Sequence, residues 1–310
     1  MKMKEIISSG DPEYDRLSFG WEINTNCQYR CGYCYAHKML TWKFKEQHNN
    51  VYNNVLKRLR LNSIPNFRID ILGGEPTLHP RFHTIITELN NMDKCDWIMI
   101  NTNAGTDINI LKDLSNLKSN KIEVSASYHY EYSKFQQFMD NVIELNDQNN
   151  IVLTVTVNVA PEMTAIPSYK KIISSCIDNN VEVGLNFINP TDIYTKQFTS
   201  EFHQALDIKD MNTHVCNDRW LFISKDGSQG KFNLQQIHAQ ELNRFKGFNC
   251  IPKMWLIDPE GKFYNMCTGE SLHPLNKNIK KCVQCPKDVC VCEELLHYHK
   301  TAPGENLPRK

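Results

Sequence analysis

The stretch Asn26-Cys27-Gln28-Tyr29-Arg30-Cys31-Gly32-Tyr33-Cys34-Tyr35 carries three cysteines with the spacing C-x3-C-x2-C. It follows residues 18–24 (SFGWEIN), whose alternating apolar residues predict a first β-strand. Three thiolates can hold three irons of a 4Fe–4S cube and leave the fourth iron open, whereas a structural cube takes four cysteines. A zinc knuckle is the alternative for the same spacing. The stretch therefore predicts a metal centre at the end of the first strand.

The composition is that of an ordinary globular protein, since 41% of the 310 residues are hydrophobic and 23% are charged. The formal net charge is zero, which gives no support for a nucleic acid partner. The chain has no apolar run long enough for a bilayer, and residues 1–11 lack the apolar core of a signal peptide. We therefore expect a cytoplasmic protein with no membrane partner. In that setting, twelve cysteines indicate metal binding or catalysis rather than disulfides.

Strands and helices are predicted to alternate through the first two thirds of the chain. Because each pair of strands is joined by a helix, the strands should be parallel and lie in one sheet. The hydrophobic patterns predict strands at 18–24, 66–72, 96–102, 121–129, 151–159 and 181–188, and helices at 42–61, 79–90, 107–117, 133–145 and 168–177.

The fourth and fifth strands are apolar on one face and polar on the other. A sheet covered by helices on both faces should be apolar on both. The pattern favours a curved sheet whose polar inner face lines a cavity, as in a partial β/α barrel with its active site at the carboxyl ends of the strands. The alternative is a doubly wound sheet with a few solvated polar positions. The polar residues are Glu123, Ser125 and Ser127 on strand four and Thr154, Thr156 and Asn158 on strand five.

The cysteine loop, with the aromatic Tyr33 before its last cysteine, resembles the signature of radical S-adenosylmethionine (SAM) enzymes. Gly73-Gly74-Glu75-Pro76, at the end of strand two, resembles a second signature of the same enzymes, and the resemblance covers roughly residues 15–190. It implies an α/β fold, a partial (β/α)6 TIM-like barrel, in which Cys27, Cys31 and Cys34 bind a catalytic 4Fe–4S cluster. The open iron would bind SAM. One electron from a low-potential donor, such as flavodoxin or ferredoxin, would cleave SAM to a 5′-deoxyadenosyl radical that abstracts a substrate hydrogen atom.

The resemblance also implies the residues that contact SAM. Gly73 and Gly74 allow close approach of the backbone and a positive φ, and Pro76 fixes the turn. Glu75 can accept a hydrogen bond from the SAM ammonium group. For the polar residues that follow, the alternatives are turn formation and a hydrogen-bond network inside the barrel. The remaining expected SAM contacts are Tyr33, Asn103, Ser125, Ser127 and Asn158.

A second group of cysteines lies near the C-terminus and brackets a predicted hairpin at 254–257 and 262–266. It resembles the twitch or truncated SPASM extension of radical SAM enzymes, which implies an auxiliary 4Fe–4S cluster. Cys250 and Cys267 would supply two ligands and two of the last four cysteines the others. The spacing of those last four departs from the commonest form, and a structural zinc site is the alternative. The six cysteines are Cys250, Cys267, Cys282, Cys285, Cys290 and Cys292.

The resemblance to radical SAM enzymes implies an oxidoreductase that dehydrogenates, epimerises or crosslinks a small molecule or a peptide. The predicted barrel begins close to the first residue, which favours a small molecule or a separate recognition partner. The alternative is a non-catalytic protein of interaction or maturation with iron–sulfur and zinc sites. The expected organisation is a lead-in at 1–17, the barrel at 18–190, a linker with a hairpin and a helix (235–245) at 191–245, the auxiliary-cluster domain at 246–300 and a flexible tail at 301–310.

Overall fold

The computed structural model describes residues 3–7, 17–34, 49–61, 64–188, 196–206, 219–233, 240, 242–250, 254–265, 283–286, 288 and 300–303. The strands are β1 (Met3–Ile7), β2 (Leu17–Glu22), β3 (Phe67–Leu72), β4 (Cys95–Thr102), β5 (Ile122–Tyr128), β6 (Val152–Val159), β7 (Glu182–Phe187), β8 (Arg219–Ser224), β9 (Gln229–Asn233), β10 (Asn249–Cys250), β11 (Met254–Ile257), β12 (Phe263–Asn265), β13 (Val283–Gln284) and β14 (Lys300–Thr301). The α-helices are α1 (Asn49–Leu59), α2 (Phe82–Asn90), α3 (Asn109–Lys112), α4 (Phe135–Asn146), α5 (Ile166–Asp178) and α6 (Ser200–Leu206).

The central sheet has the strand order β12-β11-β2-β3-β4-β5-β6-β7 among the described residues. Every neighbouring pair from β11 to β7 is parallel, and β12 is antiparallel to β11. Helices α1 to α5 connect the successive strands from β2 to β7. The fold is therefore α/β with a mostly parallel sheet, and the predicted partial TIM-like barrel is confirmed. None of the described helices combines the length and apolarity needed to span a bilayer.

The core lies between the sheet and its helices. Phe19 and Trp21 on β2 and Ile23 directly after it are fully buried, and so are Leu59 on α1 and Ile85 on α2. These residues recur with a period of two on strands and of three to four on helices, so that each element turns its apolar face to the other. Each large side chain buried in this way contributes roughly 1.5–3 kcal/mol. The packing fixes which ends of the strands carry the polar loops.

The other face of the sheet is polar, and its side chains are bonded to one another across the strands. The hydroxyls of Ser125 and Thr156 are 2.9 Å apart, and Asn186 donates to Asn158 at 2.8 Å. Deeper in the barrel, Arg68 forms an ion pair with the buried Asp70 at 3.1 Å. Buried polar groups with partners form an inner lining, which agrees with the barrel and not with solvated positions on a doubly wound sheet.

Two of the helix predictions need correction. The segment predicted as a helix over 107–117 is the short α3 followed by a 3-10 helix, Asp113–Leu117. The segment predicted over 235–245 is not helical at 242–245, where turns occur instead, with Asn243 and Gly247 favouring turn conformations. The first predicted helix is described from Asn49 onward, and residues 42–48 lie outside the described part of the chain.

The two ends of the chain meet in a second sheet, in the order β13-β10-β14-β1-β8-β9 among the described strands. The predicted lead-in at 1–17 therefore contains a strand, because β1 pairs antiparallel with β8 and with β14. The tail predicted to be flexible from residue 301 begins in β14, and Thr301 and Ala302 are buried. Pairing of β14 with both β1 and β10 satisfies the backbone groups of these residues.

The predicted C-terminal hairpin is present, but it belongs to the central sheet. Strand β11 lies parallel to β2, with Leu256 beside Gly20 and Trp255 beside Phe19. A side chain at Gly20 would contact Leu256, so the glycine makes room for the hairpin. The barrel wall is therefore extended by residues that the sequence analysis assigned to the separate domain at 246–300.

Candidate active site

The three cysteines lie in the loop that follows β2. Cys31 is buried, with 4% of its surface exposed, and Cys27 and Cys34 are half-buried. Burial raises the pKa of Cys27 to about 11 and the pKa of Cys31 to about 12, and the neighbouring thiols add to both increases. The thiols of Cys27 and Cys31 are therefore protonated at neutral pH without a metal, and metal binding would release their protons.

The glycine loop after β3 packs directly against the start of the cysteine loop. Gly73 has a φ of +153°, and a Cβ atom there would lie 2.6 Å from the carbonyl oxygen of Asn24. A Cβ atom at Gly74 would overlap the carbonyl group of Asn26 and lie 3.0 Å from Cβ of Cys27. The two loops also share backbone hydrogen bonds, from Gly74 N to Asn24 O at 3.1 Å. Only glycine allows this approach, which places the two predicted signatures side by side.

Glu75 is fully buried, and its carboxylate is held by donors of the protein itself. Oε1 accepts from the hydroxyls of Thr77 and Thr102 at 2.6 and 2.7 Å and from Thr77 N at 3.2 Å, and Oε2 accepts from Asn103 N at 2.7 Å. Burial raises the pKa of Glu75, and these hydrogen bonds oppose the rise. The carboxylate therefore ties the end of β3 to the end of β4. A SAM ammonium group would have to compete with these four donors.

Asn103 contacts the cysteine loop. Its Nδ2 lies 3.7 Å from Cys27 Sγ, and its Oδ1 accepts from Gln28 Nε2 at 2.8 Å and from Gly105 N at 2.9 Å. The amide of Tyr29 donates to the same Cys27 sulfur at 3.3 Å. N–H groups that point at a cysteine sulfur are suited to a thiolate that binds a metal.

The other predicted SAM contacts lie on the inner face of the barrel. Ser125 and Asn158 are buried and Ser127 is half-buried. Ser127 and Asn158 lie near the carboxyl ends of β5 and β6, whereas Ser125 lies in the middle of β5. Asn158 takes part in the hydrogen-bond network that was the alternative to a ligand contact. Pro76 is buried at the start of a 3-10 helix, where its fixed φ suits the first turn.

The segment His129–Tyr132 after β5 was not predicted as part of the site, yet it contacts the cysteine loop. His129 Nδ1 lies 2.9 Å from the Tyr33 hydroxyl and 3.5 Å from Cys31 Sγ. Burial lowers the pKa of His129 to about 4, so the imidazole is neutral at neutral pH. The segment forms no motif with the cysteines, and its position at a strand end was the only sequence signal available.

The donor set of the cysteine loop suits an iron–sulfur cluster. No group of three or more His, Cys, Asp or Glu side chains in the described residues could hold one metal ion. A 4Fe–4S cube does not need such convergence, because each thiolate binds a different iron. The thiols and the N–H groups that face Cys27 are the donor set that a cube requires.

The C-terminal cysteines are described only in part. Cys250 and Cys285 are buried, whereas Cys267, Cys282, Cys290 and Cys292 lie outside the described residues. Cys250 pairs with Val283 across β10 and β13, and Cys285 N donates to Phe248 O at 2.8 Å. Because opposite residues share a face of a sheet and side chains alternate along a strand, Cys250 and Cys285 lie on the same face. Diagonal neighbours of this kind are separated by about 7–8 Å.

Part of the chain is similar to a known family. Residues 21–157 match the family model described as the Radical SAM superfamily. A search of curated proteins finds no match.

Two similar solved structures are of anSMEcpe. With bound AdoMet it has a TM-score of 0.54 and 15% identity over 80% of this chain and 74% of that chain. The structure with bound AdoMet and the Cp18Cys peptide has a TM-score of 0.52 and 16% identity, and the match covers 83% of this chain and 75% of that chain. At these identities the likeness shows the fold.

Proposed function

We propose that this protein is a radical SAM oxidoreductase with an auxiliary metal centre. The observation that carries the proposal is the contact between the cysteine loop and Gly73-Gly74 at the carboxyl ends of β2 and β3. Both segments lie in the matched residues 21–157. When bound and reduced by an external low-potential donor, a 4Fe–4S cluster would supply the one electron needed for cleavage of SAM to methionine and a 5′-deoxyadenosyl radical.

Different residues of the chain would bind the cluster, SAM and the substrate. Cys27, Cys31 and Cys34 would hold the cluster, and the backbone of Gly73 and Gly74 would approach the methionyl part of SAM. Tyr33 and the inner-face residues would contact the remainder of SAM or the substrate; those residues are Asn103, Ser125, Ser127 and Asn158. The inner face, which is polar and preorganised by its own hydrogen bonds, would hold the substrate away from bulk water.

The auxiliary centre is supported by one pair of cysteines. Cys250 on β10 and Cys285 directly after β13 lie on the same face of the paired segments, and both are buried. Two thiols at this separation suit ligands of one cluster. The other ligands would come from Cys267 and from one of Cys282, Cys290 and Cys292, as in a twitch or SPASM domain. A zinc ion in the same ligands remains the alternative outcome of metal analysis.

The auxiliary centre would take an electron from a substrate radical or return one, which corresponds to dehydrogenation, crosslinking or epimerisation. The substrate would be a small molecule or a peptide. A peptide is compatible with the likeness to anSMEcpe, one structure of which contains a bound peptide. The protein would act in the cytoplasm with a low-potential donor such as flavodoxin or ferredoxin.

Anaerobic reconstitution tests the proposal. We expect about eight irons per chain, since each cube contains four, and formation of 5′-deoxyadenosine from SAM that depends on dithionite. The matched controls are Cys27→Ala, which removes a ligand, and Cys176→Ala, which removes a buried cysteine of α5. Deoxyadenosine from wild type that does not exceed the Cys27→Ala background would reject the enzyme. About four irons with one zinc would keep the enzyme and assign zinc to the C-terminal cysteines.

A further inference from the structure

The segment His129–Tyr132 forms hydrogen bonds with the backbone on both sides of Cys31. Glu131 Oε2 accepts a hydrogen bond from Gly32 N at 2.8 Å. The Tyr132 hydroxyl donates to the carbonyl oxygen of Arg30 at 3.1 Å. Arg30 and Gly32 are the neighbours of Cys31 in sequence. One segment at the end of β5 therefore fixes the backbone position of one cysteine in a loop that belongs to β2.

The same segment surrounds the Cys31 sulfur with polar and aromatic groups. His129 Nδ1 lies 3.5 Å from Cys31 Sγ and 2.9 Å from the Tyr33 hydroxyl. The His129 ring is stacked with the ring of Tyr33, with centroids 6.1 Å apart and an angle of 9° between the planes. Tyr130 is stacked with Tyr33 as well, at 6.3 Å and 21°. The ring of Tyr33 thus has aromatic neighbours that fix its orientation beside the sulfur.

The segment also brings a negative charge close to this cysteine. Glu131 binds the amide that directly follows Cys31, and its Oε1 accepts from the Tyr130 hydroxyl at 3.2 Å. The reduction potential of an iron–sulfur cluster depends on its hydrogen bonds, on nearby charge and on exposure to solvent. A carboxylate opposes the addition of an electron and lowers the potential, whereas an N–H or O–H group that faces a sulfur raises it.

We propose that His129–Tyr132 is a positioning segment for the cluster at Cys27, Cys31 and Cys34, which retains the loop through Glu131 and Tyr132 and sets the cluster potential through His129 and Glu131. This inference rests on the proposed function. It adds residues outside both signatures to the machinery of the site. None of the four needs to contact SAM or substrate to exert this effect.

Substitutions at Glu131 distinguish its effect on retention of the cysteine loop from its effect on the reduction potential of the cluster. Glu131→Ala removes both the acceptor for Gly32 N and the charge, whereas Glu131→Gln keeps an acceptor and removes the charge. We expect iron release to a chelator to become about two- to tenfold faster in Glu131→Ala, the range for one hydrogen bond, and to stay at the wild-type rate in Glu131→Gln. The midpoint potential, followed by the EPR signal of the reduced cluster, should move to more positive values in both variants. Asp140→Ala, at an exposed site of α4, is the matched control for charge and should change neither quantity.

Substitutions at His129 test the contact with the sulfur. In the tautomer that carries its proton on Nδ1, His129 donates to the Cys31 sulfur. His129→Phe keeps an aromatic ring but removes this N–H group, and we expect a more negative midpoint potential. His129→Asn can place an N–H group near the position of Nδ1 and should restore much of the wild-type potential.

The outcomes distinguish the inference from the proposed function. A wild-type protein that binds no cluster at Cys27, Cys31 and Cys34 would overturn both. A wild-type protein that cleaves SAM, with unchanged potentials in Glu131→Gln and His129→Phe, would overturn the inference alone. Equal rates of iron release from Glu131→Ala and Asp140→Ala would show that Glu131 does not retain the cysteine loop, and would overturn that part of the inference.

Discussion

The two cysteine-rich regions of this protein are assembled in different ways. The cysteines at 27–34 come from one loop after β2, and the glycine loop and His129–Tyr132 hold that loop from neighbouring strand ends. Cys250 lies on β10 and Cys285 directly follows β13, and the pairing of these two strands brings both residues to one face. The first region is a short peptide mounted on a rigid barrel. The second is part of a sheet that also joins both ends of the chain.

This difference has an energetic consequence. A loop supported by a barrel can be positioned before a metal binds, so that the metal adds chemistry more than stability. A ligand set drawn from short strands depends on the metal for part of its own folding, because binding free energy is then folding free energy. Under the proposed function, we therefore expect loss of the metal at Cys27, Cys31 and Cys34 to abolish activity, and loss of the proposed auxiliary metal to lower the stability of the fold.

The largest effect is expected from the C-terminal cysteines. Cys250→Ala or Cys285→Ala should remove the second metal and lower the free energy of unfolding by about 4 kcal/mol or more, as loss of a structural metal does. Cys27→Ala should lower it far less, while deoxyadenosine formation disappears. Denaturant unfolding and metal analysis of the three variants provide the measurement. Equal destabilisation by Cys27→Ala and Cys250→Ala would remove the proposed difference between the regions.

The contact between the loops should be the next most sensitive feature. Gly74→Ala places a Cβ atom against Asn26 and should cost about 1–3 kcal/mol through overpacking. The displaced cysteine loop should weaken SAM binding by about 5- to 150-fold if this whole cost of 1–3 kcal/mol is expressed in binding. Gly184→Ala is the control, because a Cβ atom at that position on β7 meets no atom within 4 Å. Binding of SAM to both reconstituted variants can be measured by calorimetry. Equal affinities would show that the cysteine loop accommodates the added Cβ atom without loss of SAM binding.

A smaller effect is expected at Glu75. Both carboxylate oxygens of Glu75 accept hydrogen bonds from Thr77, Thr102 and Asn103. In Glu75→Gln, one oxygen is replaced by an NH2 group that faces a donor, and such an unpaired buried polar group lowers the free energy of unfolding by about 1–3 kcal/mol. SAM affinity should fall because Asn103 and the glycine loop lose their common anchor. The absorption spectrum of the cluster should be unchanged. Wild-type stability together with weaker SAM binding would instead assign Glu75 a direct contact with SAM.

The smallest effect is expected inside the barrel. Ser125→Ala removes the 2.9 Å hydrogen bond to Thr156 and should lower the free energy of unfolding by about 0.5–1.5 kcal/mol. Thr156→Ser keeps the hydroxyl and should retain the bond. If Ser125 also contacts SAM, the alanine variant will bind SAM more weakly than Thr156→Ser does. Equal SAM binding by these two variants would restrict Ser125 to the inner network.

Much of the barrel could be predicted because its signals are local. The alternation of Phe19, Trp21 and Ile23 predicted β2, and the glycines after β3 predicted a close approach of the backbone. Strand β1 was missed, since Met3–Ile7 is stabilised by partners more than 200 residues away in the sequence. The same reason explains β14, whose two residues carry no pattern of their own. Long-range pairing leaves little trace in a short segment.

The candidate site shows the same division. The spacing of Cys27, Cys31 and Cys34 indicated three ligands and an open iron. This prediction needs only the number and proximity of the thiols, which the sequence shows directly. The contacts of Glu131 and His129 with that loop could not be predicted, because they depend on the distance between the ends of β2 and β5.

The sequence by itself therefore determined the β/α order, the polar inner face and the identity of the cysteine and glycine signatures, since each arises from residues close together in the chain. Only the tertiary structure decided that Glu75 is held by Thr77, Thr102 and Asn103. It also decided that β11 extends the barrel beside β2 and that Cys285 lies on the face of Cys250. These relations follow from which strands become neighbours, and strand neighbours are chosen by the packing of the whole chain.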